Sequence, residues 1–225
     1  MAVMTLTRST IGKKVIMAVT GLVWVGFLIF HMYGNLKVFQ GAEYFNYYAE
    51  SLRELGAPLF SRLHLLTLLR IVVSLSVVLH VWAALSLTKT ALTARPQSYE
   101  MKRLVQANYA SITMRYGGVV IGLFLLYHLA HFTWGLLPGV FARGDPYGNL
   151  VAGFQSIFNV AFYLVAVVAL GFHLYHGTWS MFQTLGFNNQ KYDKSLRGLA
   201  LALGILLPLG FAIVPLAVLF GIVTL

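Results

Sequence analysis

Residues 11–34 read IGKKVIMAVTGLVWVGFLIFHMYG, an apolar run with two lysines near its start and a histidine near its end. An α-helix needs about 20 consecutive apolar residues to cross a bilayer, and this run reaches that length. A histidine in hydrocarbon is costly, so it normally faces the interior of a helix bundle and has a partner there. The stretch therefore predicts a transmembrane helix with a functional side chain, His31.

Four further segments have the same composition and also reach the length of a span. They cover residues 63–88, 116–138, 154–182 and 198–225. The chain has 225 residues, of which 59% are hydrophobic and 10% charged, and its mean hydropathy is +0.77. The sequence predicts an all-α, polytopic membrane protein, in which residues 1–225 form one domain of five transmembrane helices. Turn-rich stretches at 41–58, 95–106, 139–153 and 186–195 are predicted to be short connections.

The first segment is too long for a signal peptide and lacks a small-residue cleavage site, so we expect it to remain as the first helix. Lysine and arginine are retained on the cytoplasmic side of a membrane. With the N-terminus inside, the inner segments and helix ends hold eleven basic residues and two acids, whereas the outer ones hold four of each. This pattern predicts a cytoplasmic N-terminus and an external C-terminus, and we expect the protein to lie in a bacterial cytoplasmic (inner) membrane.

The inner face therefore carries essentially the whole net charge of +10. Two explanations stay open: topology together with binding of anionic lipid, or a docking surface for an acidic soluble partner. The inner acids are Glu100 and Asp193, and the inner basic residues are Arg8, Lys13, Lys14, Lys89, Arg95, Lys102, Arg103, Arg115, Lys191, Lys194 and Arg197.

Three other spans also contain a histidine well inside the apolar run, namely His80, His128 and His173. At a rise of about 1.5 Å per residue, His31 lies roughly 12 Å and His128 roughly 4 Å to the outside of the span centre. His80 and His173 lie roughly 6 Å to the cytoplasmic side. These depths predict two pairs, and two pairs are what two bis-histidine haems require. We therefore predict two stacked b-type haems, with these four histidines as iron ligands.

The chain has no cysteine, which excludes iron–sulfur ligation, covalent haem attachment and disulfides. No G-x-G-x-x-G, P-loop or H-E-x-x-H pattern occurs, so nucleotide and metal-hydrolase chemistry are not indicated, and no nucleic-acid partner is expected. A membrane cytochrome without another redox group must exchange electrons with a separate protein. Glycines near His128 and His173 would let a flat ring approach the backbone, although ordinary helix packing explains them equally well.

Four stretches around these histidines resemble a known family. They are FLIFHMYGNLKVFQGAEYFN (27–46), residues 70–84, RYGGVVIGLFLLYH (115–128) and FHLYHGTWSMFQTLG (172–186). They are similar to the cytochrome b membrane anchor of succinate:quinone oxidoreductase, complex II, in its single-subunit, five-helix, dihaem form. The resemblance implies axial ligation by the same four histidines in the same pairs. It also implies two soluble partners on the cytoplasmic face, a flavoprotein that interconverts succinate and fumarate and an iron–sulfur protein.

Two further histidines, His131 and His176, sit three residues after a ligand candidate and therefore near the same helix face. By depth alone, His131 matches His31 slightly better than His128 does. Depth therefore leaves open which of the two is the ligand. The family pattern favours His128 and His173.

Polar residues at both ends of the bundle are candidates for binding haem or quinone. Arg70 lies inside the second span, where a guanidinium either snorkels to the interface or binds a haem propionate. His64, with Glu50 and Glu54, is an outer candidate, although an interfacial or solvated role explains each of these residues. The inner candidates are Arg115, Tyr116 and Trp179, with Ser111 and Thr113 near them, and Trp179 is equally explained as an interfacial anchor.

The function expected from these observations is electron transfer within a succinate dehydrogenase complex. Electrons from the iron–sulfur subunit would pass through the inner and then the outer haem to a membrane quinone, while succinate chemistry stays in the flavoprotein. The dihaem type implies menaquinone, with ubiquinone as an alternative. An outer quinone site is favoured, because a single inner site would leave the outer haem without a role. Alternatives are the dihaem anchor of a fumarate reductase, hydrogenase or formate dehydrogenase, or a transporter, although no acid lies within any span.

Overall fold

The computed structural model describes residues 6–94, 106–137 and 141–225, and only the backbone of residues 106–113. Arg95, Glu100, Lys102, Arg103 and the predicted end of the third span at Pro138 lie outside the described residues, and so do the side chains of Ser111 and Thr113. Within the described ranges the regular elements are all helices, which confirms the predicted all-α class. They are α1 (Thr10–Leu36), a 3₁₀ turn (Lys37–Gln40), α2 (Ala42–Ser51), α3 (His64–Thr93), α4 (Gln106–Phe132), α5 (Pro146–Phe154), α6 (Ile157–Thr184) and α7 (Asp193–Leu219).

Four of the helices are long and apolar enough to cross a membrane: α1 with its 3₁₀ turn, α3, α6 and α7. The chain is thus a multi-pass membrane protein, as its composition predicts. Large apolar side chains such as Leu85, Phe158 and Leu209 point away from the bundle, as is expected where lipid is the solvent. Helix α4 has 27 residues but begins with a polar stretch and contains two histidines, so it is not among the four.

The bounds of α4 differ most from those read in the sequence. The helix ends at Phe132 rather than near residue 138, because Gly135 adopts a positive φ of 62°. The amide of Leu136 donates to the carbonyl of Ala130 at 2.9 Å, and that of Trp134 to Leu129 at 2.8 Å. Both amides thus fold back onto the last turn of α4, and the left-handed glycine between them turns the chain away from the helix axis. The residues that follow Gly135 are apolar, so the span predicted from the sequence extends beyond the end of the helix.

The fifth long helix also ends earlier than its hydropathy indicates. Helix α7 stops at Leu219 rather than Leu225, and Gly221 follows with φ 71°. Two stretches read as turn-rich connections contain the short helices α2 and α5. Asp145 explains the start of α5, because its carboxylate accepts the amide of Gly148 at 3.0 Å and a proline occupies the first turn.

Helices α1 and α6 form the middle of the bundle. Helix α1 contacts α3, α6 and α7, and α6 also contacts α4 and α7. Helices α6 and α7 cross closely at two glycines: a Cβ on Gly171 would lie 2.8 Å from the carbonyl oxygen of Gly204. Such small residues are a common way for membrane helices to approach.

The short helices α2 and α5 pack together at one end of the bundle, which we call the α2–α5 end. Asn46 of α2 donates to Asp145 at 2.9 Å and accepts the amide of Tyr147 at 3.0 Å. The Tyr147 hydroxyl donates to the carbonyl of Thr224 at 2.8 Å. These bonds join the two connections to the end of the chain. By the sequence-predicted orientation this is the outer end, and the turn between α6 and α7 lies at the opposite, inner end.

Candidate functional site

The structure brings the four span histidines together in two facing pairs. The rings of His31 on α1 and His128 on α4 have centroids 5.8 Å apart, and their planes are inclined at 86°. The rings of His80 on α3 and His173 on α6 have centroids 6.2 Å apart, at 59°. The four helices thus meet in two layers along the bundle, with one pair in each layer.

These separations fit one metal ion between the two rings of each pair. Two imidazoles that bind a metal from opposite sides, each through a bond of about 2 Å, have ring centroids roughly 6 Å apart. Within the part of the chain that the structure describes, no group of three or more His, Asp or Glu side chains converges on a metal site. A group with two protein ligands therefore suits the pairs, and a haem brings the other four donors itself.

His80 has a hydrogen-bond partner on α1 that suits one of its two tautomers. The Thr20 hydroxyl donates to the carbonyl of Ile16 at 2.7 Å, so its oxygen is left to accept. That oxygen lies 3.1 Å from Nδ1 of His80, which places the imidazole proton on Nδ1. The lone pair of Nε2 is then available to a metal, which is the usual arrangement of a ligating histidine.

His128 and His131 share one partner, the hydroxyl of Tyr163 on α6. It lies 3.2 Å from Nδ1 of His128 and 3.1 Å from Nδ1 of His131. The two histidines differ in the ring that each faces most directly. His128 faces the ring of His31, whereas His131 stacks on Phe132 with centroids 4.0 Å apart.

His176, the other alternative ligand, has a ring contact with Tyr175 at 4.9 Å. The ring that faces His80 is that of His173. Nδ1 of His173 is buried and has no hydrogen-bond partner among the described residues. The geometry therefore places His128 and His173, rather than His131 and His176, in the two facing pairs.

Sequence reasoning missed three residues beside the pairs: Thr20, Trp24 and Tyr163. Thr20 and Trp24 lie one turn apart on α1, and His31 follows Trp24 two turns later, so the three share one helix face. The indole nitrogen of Trp24 is buried and has no partner among the described residues. Helical spacing from His31 would have identified the two α1 residues, whereas no local signal pointed to Tyr163.

Four of the other predicted site residues are exposed. Arg70 is exposed in a shallow groove on α3, beside Thr67 and Ser74. His64 is exposed at the first residue of α3. Arg115 and Tyr116 are exposed on α4.

Trp179 and Glu50 have cationic partners. The guanidinium of Arg197 lies 4.0 Å from the centroid of the Trp179 ring, and Asp193 holds that guanidinium through a 3.0 Å ion pair. At the α2–α5 end, Glu50 forms ion pairs of 2.6 Å with both Arg53 and Arg62. The hydrogen bond from Arg62, aided by Arg53, holds the pKa of the Glu50 carboxyl below its usual range. Glu50 is therefore tied as a carboxylate.

Asp145 is also held in its charged form. The backbone amide of Gly148 and the side chain of Asn46 lower the pKa of its carboxyl. Both acids thus act as structural anions at the α2–α5 end. The predicted outer set also contains Glu54 and His64. Neither of these two forms an ion pair within the described part of the chain.

The comparison with protein families gives one match. Residues 89–211 match the family of succinate dehydrogenase/fumarate reductase transmembrane subunits. The matched segment covers more than half of the chain and contains His128 and His173, whereas His31 and His80 precede it. The resemblance read from the sequence is thereby confirmed at the level of the family. Neither the curated proteins nor the solved structures gave a match.

Proposed function

The chain belongs to the family of succinate dehydrogenase/fumarate reductase transmembrane subunits, and on this premise we propose that it is the dihaem cytochrome b anchor of a succinate dehydrogenase. The observation that carries the proposal is the pair of facing imidazoles in each of two layers, 5.8 Å and 6.2 Å apart. One pair alone would support a monohaem anchor. Two pairs on four different helices support two haems b.

The chain's own residues would hold these groups from both sides. His31 and His128 would bind the outer iron, and His80 and His173 the inner one. When bound, the haems supply one-electron carriers between a soluble donor and membrane quinone. Arg70 is exposed on the helix that carries His80, and its guanidinium suits a propionate.

The partners follow from the family and from the absence of other redox groups. We propose a flavoprotein and an iron–sulfur subunit docked on the cytoplasmic face, where the predicted topology places most of the basic charge. The quinone is proposed to be menaquinone. The family includes both succinate dehydrogenases and fumarate reductases, and assays of succinate oxidation and fumarate reduction in membranes would assign the direction.

For the quinone we retain the outer site, near the α2–α5 end, with a changed set of residues. Quinone reduction consumes two protons, so the site needs a group that can deliver them. Glu50 is bound by two arginines and is a poor proton donor. Glu54 and His64 are exposed in the same region and take its place in the proposal.

The test is purification of the complex, followed by a dithionite-reduced minus oxidised spectrum and pyridine haemochrome analysis. We expect a b-type signal, two non-covalent haems per chain and a copurified flavoprotein. One haem per chain would overturn the dihaem proposal. Absence of a b-type signal would overturn the cytochrome proposal as a whole.

A further inference from the structure

We propose that Tyr163 and Thr20 are positioning residues, each of which holds one axial histidine of a haem in its ligating tautomer and lowers the potential of that haem. This inference rests on the proposed function, because it concerns the two histidine pairs as ligand pairs. It assigns roles to two hydroxyl groups and to His131.

The Thr20 hydroxyl is placed to act toward His80 as an acceptor. Its single proton is engaged with the carbonyl of Ile16 at 2.7 Å, with that of Met17 at 3.2 Å as a second acceptor. The 3.1 Å contact with Nδ1 of His80 is then assigned as an N–H donated to Thr20, with the backbone carbonyl of Met17 as a second acceptor beside it.

The Tyr163 hydroxyl has one proton, and two histidine nitrogens lie within hydrogen-bond distance of it. If it donated to Nδ1 of His128, that ring would carry its proton on Nε2 and could not ligate through that nitrogen. Ligation therefore requires His128 to donate to Tyr163, which leaves the Tyr163 proton to be donated to Nδ1 of His131. The proton of neutral His131 is then on Nε2, on the side facing Gly153, where an added Cβ would lie 2.8 Å away.

His131 thus has a role that its position near His128 alone does not reveal. It accepts the proton of Tyr163 and thereby leaves the phenol oxygen free to accept from His128. The Tyr163 ring is fixed by edge contacts with Phe124 at 4.8 Å and Phe154 at 4.9 Å. With 6% of its surface exposed, the hydroxyl has little access to competing water.

A hydrogen bond donated by a ligating imidazole raises the basicity of that ligand. A more basic ligand favours ferric over ferrous iron, so each hydroxyl lowers the potential of its haem. The Tyr163 bond is strengthened further, because the phenol is itself polarised by donating to His131. In each pair one imidazole has this support, whereas the Nδ1 of His173 has no partner among the described residues.

The test compares Tyr163→Phe and Thr20→Val in the purified complex, with haem content, haem midpoint potentials and the low-spin EPR signals as readouts. We expect Tyr163→Phe to raise the potential of the outer haem alone and Thr20→Val that of the inner haem alone. A tenfold loss of ferric preference corresponds to about 59 mV for a one-electron couple. The EPR signal of the affected haem should also change, because the freed imidazole plane can rotate.

Three variants separate this role from general packing. Tyr127→Phe is the matched control, because Tyr127 lies in the same aromatic cluster but donates to Asn159 at 2.8 Å, and it should shift neither potential. Thr20→Ser should keep the wild-type inner potential. His131→Leu should raise the outer potential, and His131→Gln, which retains an acceptor, should raise it less.

The outcomes separate this inference from the proposed function. Two haems per chain, with potentials and EPR signals unchanged in Tyr163→Phe and Thr20→Val, would overturn the positioning roles only. If Tyr163→Phe does not retain the outer haem, the two His131 variants provide the test instead. Equal outer-haem potentials in His131→Leu, His131→Gln and the wild type would overturn the role of Tyr163. A wild-type protein without two haems would overturn both proposals.

Discussion

His128 and His131 lie less than one helical turn apart on α4 and share the hydroxyl of Tyr163, yet they have different surroundings. His128 faces a second imidazole from α1. His131 stacks on a phenylalanine and contacts a glycine. Side chains at positions i and i+3 of a helix point in directions about 60° apart. This difference is sufficient to direct the ring of His128 into the bundle and the ring of His131 toward α5.

Single alanine substitutions should separate the two pairs. His31→Ala or His128→Ala should remove the outer haem, and His80→Ala or His173→Ala the inner one, because loss of one axial ligand leaves the iron with one protein bond. Pyridine haemochrome analysis should then give one haem per chain instead of two. His176→Ala is the matched control on α6 and should retain both. Loss of both haems from His176→Ala would contradict the assignment.

Glu50 provides a pH-dependent tie between α2 and the segment before α3. The pKa of its carboxyl is lowered by Arg62 and Arg53, so the ionised form stabilises the fold at neutral pH. That contribution is lost as pH falls through the lowered pKa in the folded state. We expect hydrogen-exchange protection of residues 50–62 to fall in acid in the wild type, and to be already low at neutral pH in Glu50→Gln.

The control for this prediction is Glu43→Gln, on the same helix. Glu43 forms no ion pair among the described residues, so its protection pattern should match the wild type. Protection factors corrected for intrinsic exchange rates give the comparison. Equal protection in Glu50→Gln and the wild type at neutral pH would show that the two arginines hold the segment without the carboxylate.

At the scale of elements, the crossing of α6 and α7 depends on glycine. A Cβ on Gly171 would lie 2.8 Å from the carbonyl oxygen of Gly204 and 3.1 Å from Pro208. Backbone cannot yield there without moving a helix, and α6 carries His173 two residues later. The crossing therefore couples helix packing to the position of a ligand candidate.

Gly171→Ala should destabilise the protein by about 1–3 kcal/mol, the usual cost of overpacking, and should lower the content of the inner haem. Thermal unfolding in detergent followed by haem absorbance measures both effects. Gly26→Ala is the matched control, because an added Cβ there meets nothing within 4 Å. An unfolding temperature for Gly171→Ala equal to that of the control would mean that α7 can shift at little cost.

The two ends of the bundle offer different proton sources for quinone. Succinate:menaquinone-analogue activity should fall about tenfold or more in His64→Ala and Glu54→Gln, if these groups deliver protons at an outer site. Glu50→Gln should have a smaller effect, because Glu50 is already ion-paired. Arg115→Ala and Trp179→Phe probe the inner end.

Haem content must be verified in each of these variants, so that a lost electron path is not mistaken for a lost quinone site. Activity lost only in the inner variants, with both haems present, would move the site to the inner end. There, Trp179 and its Arg197 contact at 4.0 Å would become the leading candidates.

At the scale of the whole molecule, the charge distribution separates two faces. Lys191 and Lys194 are exposed at the turn between α6 and α7, on the face predicted to be cytoplasmic. Arg197 is already held by Asp193 and Trp179. Of the described basic residues of this turn, the two lysines are therefore the best placed to contact an acidic partner.

Charge reversal at Lys191 and Lys194 should weaken retention of the soluble subunits, with haem content unchanged. The difference from the wild type should narrow as salt rises, because salt screens exposed charge pairs. Copurification at several ionic strengths gives the measurement, and Lys37→Glu with Arg143→Glu on the opposite face is the control. Retention equal to that of the control at every salt concentration would leave topology as the function of these lysines.

The sequence by itself determined the class of the protein and its family, and it predicted the depth of each histidine. Apolar runs of span length are local, and depth along a helix follows from residue count alone. Two depth classes were therefore enough to predict which spans supply each pair, but not which histidine of the third span does so. Helix ends were less predictable, because the positive φ of Gly135 and Gly221 ends a helix inside an apolar run.

Only the tertiary structure decided which ring of each candidate set faces its partner, and which hydroxyls support it. Depth cannot distinguish His128 from His131, since the choice depends on how α4 is rotated against α1. Tyr163 lies 35 residues from His128 in the chain, and Thr20 lies 60 residues from His80. Contacts of this kind are set by the packing of one helix on another: helical spacing places Thr20 on the face of His31, but it does not show that Thr20 meets His80.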